Sequence, residues 1–376
     1  MGKSLANIYR LGIKELLILR SDRVMLLLIV YVFSFAIYAV ATGASTEVAN
    51  AAVALVDEDR SPLSRQIQDA LLQPYFQPPA RLTVAELDAA MDAGRYTFVM
   101  DIPPHFQADM TAGRQPAIQL NVDATAMSQA GMGASYLQHI IAQEVLAFAQ
   151  GREGDPQWPV NLVVRTQFNP NLNSSWFLAV MQLINNITLL AIILTGAALI
   201  REREHGTIEH LLVMPLRPTE IMLAKIWANG LVIVVAAVLS LYGVVQGWLG
   251  VPIAGSIPLF VAGTVIYLFS VTALGIFLAT LTRSMPQFGL LAIPVFMVMN
   301  LLSGGTTPLD SMPELLQALM QLSPSTHFVS FAQAILYRDA GFAVVWPSFA
   351  AVAASGAVFF GIALLRFRRM VTLMQS

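Results

Sequence analysis

A chain of 376 residues that is 56% hydrophobic, only 12% charged and of net charge −2 carries more apolar side chain than a soluble domain of that length hides, which excludes an ordinary globular fold. The absence of cysteine excludes disulfides and any zinc site built on thiolates. The near-neutral total says nothing about partners, because in a membrane protein the placement of charge carries the information.

In chain order, residues 1–23 predict a cytoplasmic amphipathic interfacial helix. Leu5, Ile8, Gly12, Leu16 and Leu19 lie on one face, and Lys3, Asn7, Arg10 and Lys14 on another. A solvated basic start is the alternative. Residues 24–43 are expected to be the first transmembrane helix. Ala39, Val40 and Ala41 imitate a signal-peptide cleavage site, but the apolar stretch is long for a signal core and its basic leader is extended.

The connection 44–175 is long enough to fold by itself and reads as an α/β extracytoplasmic domain. Strands are expected at Ala51–Val56, Tyr96–Ile102, Ala117–Val122 and Val160–Phe168, the last bracketed by Pro159 and Pro170. Ser61 and Pro62 open a helix through Leu72, and Thr83 and Glu86 have capping-box spacing for a second that Gly94 ends. A short helix follows Pro103 and Pro104 to Gly113, and a long one runs from Met127 to Gln150. Acids outnumber bases and lysine is missing, so no nucleic acid is expected as partner.

Residues 176–376 then read as a transmembrane domain of five further helices, at Trp176–Ile200, Ile226–Trp248, Ile257–Thr280, Phe288–Ser303 and Val344–Leu365. About 20 apolar residues cross roughly 30 Å of hydrocarbon, so the fourth of these is short, and it contains Pro294. A re-entrant hairpin is expected at about 304–337, its helix opened by Ser311, Pro313 and Glu314. With six spans, the bases before the first span, Arg201, Arg203, Arg217, Lys225, Arg283, Arg366, Arg368 and Arg369 all fall on one side, which the positive-inside bias makes cytoplasmic together with both termini.

No phosphate loop is present: Gly2, Lys3 and Ser4 lack the preceding glycine and strand. His105, His139, His205, His210 and His327 are scattered, and no metal site or nucleophile elbow is expected. The spans lack ionisable groups, against a secondary transporter. They carry Gln182, Asn185, Asn186 and Asn300, which either line a polar path or hydrogen-bond between helices, the second being the commoner role for any single one.

The insert between the second and third spans reads REREHGTIEHLLVMPLRPTEIMLAK. Glu202, His205 and Glu209 are expected on one helical face and Ile208, Leu211 and Leu212 on the other. Gly206 and Thr207 interrupt this helix weakly, Pro215 and Pro218 stop it, and Thr219 caps the next. Such a helix transmits movement from a soluble partner as a rigid body. An elbow parked among headgroups is the alternative.

The insert, continued through IWAN, resembles the signature of the type-2 ATP-binding-cassette (ABC) exporter permeases. VALVDEDRSPLSRQI is similar to the start of that family's external domain, FNPNLNSSWF to its return to the membrane, and SGGTTPLDSMPELLQALMQLSPSTHFV to its re-entrant hairpin. The resemblance covers most of the chain, in order, and is nearest the bacterial multidrug-type subgroup. It implies an inner-membrane permease paired with a second copy or a close paralogue. Cytoplasmic ABC ATPase subunits would carry the ATP and Mg, so that this chain binds no cofactor and catalyses nothing itself. A periplasmic membrane-fusion adaptor is a further implied partner. The coupling helix on the ATPase would be 201–214, with Glu202, Arg203, Glu204, His205, Gly206, Thr207, Glu209, Leu211, Leu212 and Pro215 at the contact. Export of a lipid or lipid-linked glycan, and a non-transporting receptor or scaffold, are the alternatives to drug export.

Overall fold

In the computed structural model, residues 2–43, 50–123, 127–151, 173–204, 206 and 216–375 are described. The chain divides into two compact units, Met1–Ala44 with Ser175–Ser376, and Ser45–Ser174.

The larger unit opens with α1 (Gly2–Ser21). Asp22 ends it and caps α2 (Arg23–Phe33), its carboxylate accepting from the Met25 amide at 3.1 Å. The first expected span is not one helix. It breaks at Ser34, whose φ of −125° and ψ of −81° leave helical geometry, and resumes as α3 (Phe35–Gly43).

The smaller unit holds a four-stranded sheet of order β2-β1-β3-β4. Its elements are β1 (Val53–Asp57), α4 (Pro62–Asp69), β2 (Ala80–Arg81), α5 (Val84–Asp92), β3 (Phe98–Ile102), α6 (Phe106–Thr111), β4 (Gln119–Val122) and α7 (Met127–Ala149). β1 pairs parallel with β2 and with β3, placing Val53 opposite Phe98, while β3 and β4 are antiparallel. Alternate residues of β1 and β3 point to opposite faces, and both faces are covered. Val53, Leu55, Phe98 and Met100 pack with Leu63, Ile67, Phe76 and Leu137. Ala54, Val56 and Val99 pack with Leu82, Leu87 and Met91. Burying a side chain such as Phe98 or Leu63 stabilises by about 1.5–3 kcal/mol. Ser61 caps α4 ahead of Pro62, and the Thr83 amide donates to Glu86 at 3.0 Å. The two-residue β2 has no counterpart among the expected strands, and the strand expected at 160–168 lies outside the described residues.

The larger unit resumes with α8 (Ser174–Glu204) and α9 (Pro218–Ser240), which passes into a wider π-helical stretch over Leu241–Trp248. Arg217, not Thr219, is the capping residue of α9, and Glu220 folds back to accept from the Arg217 amide at 3.2 Å. Then come α10 (Ile257–Leu281), α11 (Met285–Leu301), a single 3-10 turn, α12 (Glu314–Gln321), α13 (Pro324–Arg338) and α14 (Phe342–Gln375). Among the described residues, five helical stretches are long and apolar enough to cross a membrane: Arg23–Gly43, Ser174–Glu204, Pro218–Trp248, Ile257–Leu281 and Phe342–Arg369. α11, expected as a span, has 17 residues and contains Pro294; at about 1.5 Å per residue it falls short of roughly 30 Å of hydrocarbon.

α10 is the spine of this unit. Its Tyr267 ring stacks on Phe328 of α13 with centroids 3.8 Å apart, and the Tyr267 hydroxyl lies 2.7 Å from Thr188 of α8. Ser270 meets Ser355 of α14 at 3.2 Å. Small polar contacts between apolar helices are the pattern of packing in lipid, where no hydrophobic drive pulls helices together. Large apolar side chains such as Leu27, Leu239, Leu290 and Val344 stand exposed on the outside. In water such a surface would aggregate; in a bilayer it is the solvated one.

Candidate functional site

The last turn of α8 consists of Arg201, Glu202, Arg203 and Glu204, and each engages a different element. Arg201 Nη1 lies 2.5 Å from Asp22 at the start of α2. Glu202 pairs with Lys225 of α9 at 2.8 Å. Arg203 donates to the Thr282 carbonyl, just past α10, at 2.7 Å. Glu204 accepts from the Met285 amide, the first of α11, at 2.9 Å. Four consecutive side chains therefore clasp four helices at the point where the insert begins.

Lys225 is the centre of the clasp. It is 2% exposed, and its ammonium bridges Glu202 and Glu15 of α1, each at 2.8 Å. Lys14 approaches Glu202 at 3.9 Å from the exposed side. A buried ion pair gains little over an apolar pair of the same shape, but removing one member strands a charge.

α1 is fastened along α9 by the same logic. Ser4 and Asn7 donate to Glu220 at 2.6 and 3.2 Å, and Trp227 Nε1 donates to the Ile8 carbonyl at 3.1 Å. Gly12 sits flat on Trp227, where a Cβ would come within 2.1 Å of the indole. The inward face of α1 therefore runs through Ser4, Ile8, Gly12, Glu15 and Leu19, whereas Leu5, expected on it, is 66% exposed. Asp22 has its carboxyl held below the usual carboxylate range, first by the Met25 amide it accepts and then by the Arg201 guanidinium.

One insert residue expected at the partner contact, Glu202, is buried. It is 8% exposed and turned into the protein, toward Lys225. α8 continues through Glu204, and Gly206, expected to interrupt the insert helix weakly, has a φ of +67° in the left-handed region. Of the remaining insert residues, His205, Thr207, Glu209, Leu211, Leu212 and Pro215 lie outside the described residues. Lys225 and Glu15 were not expected at the site; the only hint was opposite charges at the two edges of the insert, Glu202 and Lys225.

Of the expected path residues, Asn186 is 3% exposed and its amide donates to the Val32 carbonyl at 2.6 Å, while Gln182 donates to Asn186 at 2.9 Å. Val32 precedes the break at Ser34, and Ser240 of α9 donates to the neighbouring Phe33 carbonyl at 2.5 Å. Carbonyls released by the break are thus satisfied from α8 and α9, as lipid requires. Asn185 and Asn300 are half-buried and do not join this group. No cluster of His, Asp and Glu able to hold a metal occurs among the described residues.

Residues 21–365 match the family described as ABC-2 family transporter protein. The chain is 54% identical over 369 residues to the inner membrane transport permease YhhJ of Escherichia coli (strain K12), covering 98% of this chain and 99% of that protein. It is 32% identical over 314 residues to the probable multidrug ABC transporter permease YbhR of the same organism, 81% of this chain and 83% of the relative. With the probable multidrug ABC transporter permease YbhS it shares 26% over 352 residues, 91% and 90% of the two chains. Membership of this family implies partnership with ABC ATPase subunits. Apolar helices, external apolar surface and near end-to-end similarity agree that this is a multi-pass inner-membrane transport protein, and the chain belongs to the ABC-2 transporter family.

Proposed function

We propose that the chain is the permease subunit of an ATP-driven exporter that moves a hydrophobic or amphipathic compound, a drug or xenobiotic, out of the cytoplasm or inner leaflet. ATP and Mg are bound by separate ABC ATPase subunits, and the permease works with a second copy or a close paralogue. In this reading the chain crosses six times with both termini inside, and the Ser45–Ser174 unit lies outside as the contact for a membrane-fusion adaptor.

The clasp at Arg201–Glu204 is the observation that carries the reading. A soluble partner gripping the insert would pull on α8 directly. Through Asp22, Lys225, Thr282 and Met285 it would also pull on the ends of four other elements. The multidrug names of YbhR and YbhS support the substrate class.

The test is ATP-dependent accumulation of a fluorescent amphipathic cation in inside-out vesicles containing the chain and its ATPase. Uptake that needs both subunits and ATP supports the proposal. Uptake by the chain alone, driven by a proton or sodium gradient, overturns it.

A further inference from the structure

Away from the clasp, a cavity of about 590 Å³ opens between the start of α8, the turn after α11 and one face of α13. α13 is two-sided. Phe328, Phe331 and Ile335 are buried, the first against Tyr267 of α10, whereas Thr326, Ser330 and Gln333, spaced by four and then three, form a polar stripe along the cavity wall. Thr326 is 4% exposed, and its hydroxyl has no hydrogen-bond partner among the described residues. A buried hydroxyl left unpaired costs free energy that a ligand would recover.

Two charges line the same cavity. Arg338 ends α13 and Asp310 lies in the turn after α11; both line the cavity, and among the described residues neither joins an ion pair. A cavity lined by one charge of each sign, not paired with each other, is complementary to a ligand that also carries one of each.

The surroundings place the cavity at the depth where headgroups lie. Trp176 and Phe177 open α8, and the Tyr337 hydroxyl donates to the Phe177 carbonyl at 3.1 Å. Trp248 ends the π-helical stretch, and Trp346 stands near the start of α14; both are exposed. The loop after Trp248 is tied to the same end by Ala254, whose amide donates to the Leu336 carbonyl at 3.0 Å, and by Gly255, where a Cβ would strike the Ile335 carbonyl. Tryptophan and tyrosine gathered at one end of a helical bundle mark a membrane–water interface.

We propose that this cavity is a binding site for a zwitterionic headgroup, an anionic phosphate or carboxylate on Arg338 and a cationic amine on Asp310, with Thr326, Ser330 and Gln333 hydrogen-bonding between them. The inference uses only the membrane setting of the chain and stands whether or not export is ATP-driven.

The test counts lipid on the purified full-length chain by native mass spectrometry, after delipidation and titration with phosphatidylethanolamine or with phosphatidylglycerol of the same acyl chains. The wild type is expected to prefer the zwitterionic lipid several-fold. Arg338→Gln weakens both lipids, by about tenfold. Asp310→Asn weakens phosphatidylethanolamine and strengthens phosphatidylglycerol, and Ser330→Phe, which fills the cavity without touching either charge, lowers both. Competition by glycerophosphoethanolamine at concentrations matching the lipid identifies a soluble zwitterion as sufficient; no competition identifies the bilayer lipid as the source. Lipid preference unchanged in Arg338→Gln and Asp310→Asn, or both lipids weakened in parallel by Asp310→Asn, overturns the proposal.

Discussion

Lys225 of α9 and Glu202 of α8 face each other across the base of the insert at 2.8 Å, with the lysine side chain 2% and the glutamate side chain 10% exposed. The pair joins the two helices whose ends the insert connects, and Glu15 brings α1 onto the same ammonium.

Lys225→Met is therefore expected to leave two buried carboxylates facing each other and to cost about 3–5 kcal/mol. Lys225→Met combined with Glu202→Gln should recover part of that loss. Thermal unfolding of the purified chain in mild detergent measures both. A single variant as stable as the wild type would show that the cluster is not a structural pair.

The flat contact between Gly12 and Trp227 leaves no room for a side chain, so Gly12→Leu should lift α1 from α9. Because the chain has no cysteine, a single Cys introduced at Ile8 reports this cleanly. Its maleimide labelling should be several-fold faster in the Gly12→Leu background. Equal rates would mean that α1 tolerates the added bulk in place.

Asn186→Leu removes the donor to the Val32 carbonyl beside the Ser34 break and should destabilise the chain, by about 0.6–2 kcal/mol for such bonds in membranes. Asn185→Leu should cost less, since Asn185 takes no part in that group. Adjacent asparagines with equal effects in a thermal melt would contradict the packing role assigned to Asn186.

These pairs show which parts of the molecule were legible in the sequence. Five long apolar helices followed from length and apolarity, while the expected span over α11 is too short, and the caps at Ser61 and Thr83 followed from residues three apart. The Ser34 break was not legible, because a serine within an apolar run is unremarkable and the groups that satisfy the break, Asn186 and Ser240, are far away in sequence. The burial of Glu202 was not legible either, because charge beside a span is normally solvated. Only its three-dimensional neighbours, Lys225 and Glu15, reveal that it is buried. The run RERE stands out in the sequence at the end of α8, but what each of its side chains holds is not encoded in their spacing.

Asp22 supplies a pH dependence. Its folded-state pKa lies below the ordinary value, so its contribution is fully present above about pH 4 and is lost as the pH falls through the lower, folded value. Compared with Asp22→Asn, the wild type should be the more stable at pH 6, and the gap should close in acid. A gap that stays constant from pH 6 to strongly acidic solution would exclude the carboxylate as its cause.

The insert itself is tested most directly by Glu209→Lys with Leu211→Asp in tagged protein, purified from its native membrane alongside the wild type. Glu202 is unsuited to this purpose, since its reversal would place two cations together in the buried clasp. An ABC ATPase is expected to co-purify stoichiometrically with the wild type and to be lost from the double variant, whose yield and melting temperature stay those of the wild type. An ATPase retained in full by that variant would contradict the insert as the docking element, and its absence from the wild type under mild extraction would contradict the exporter itself.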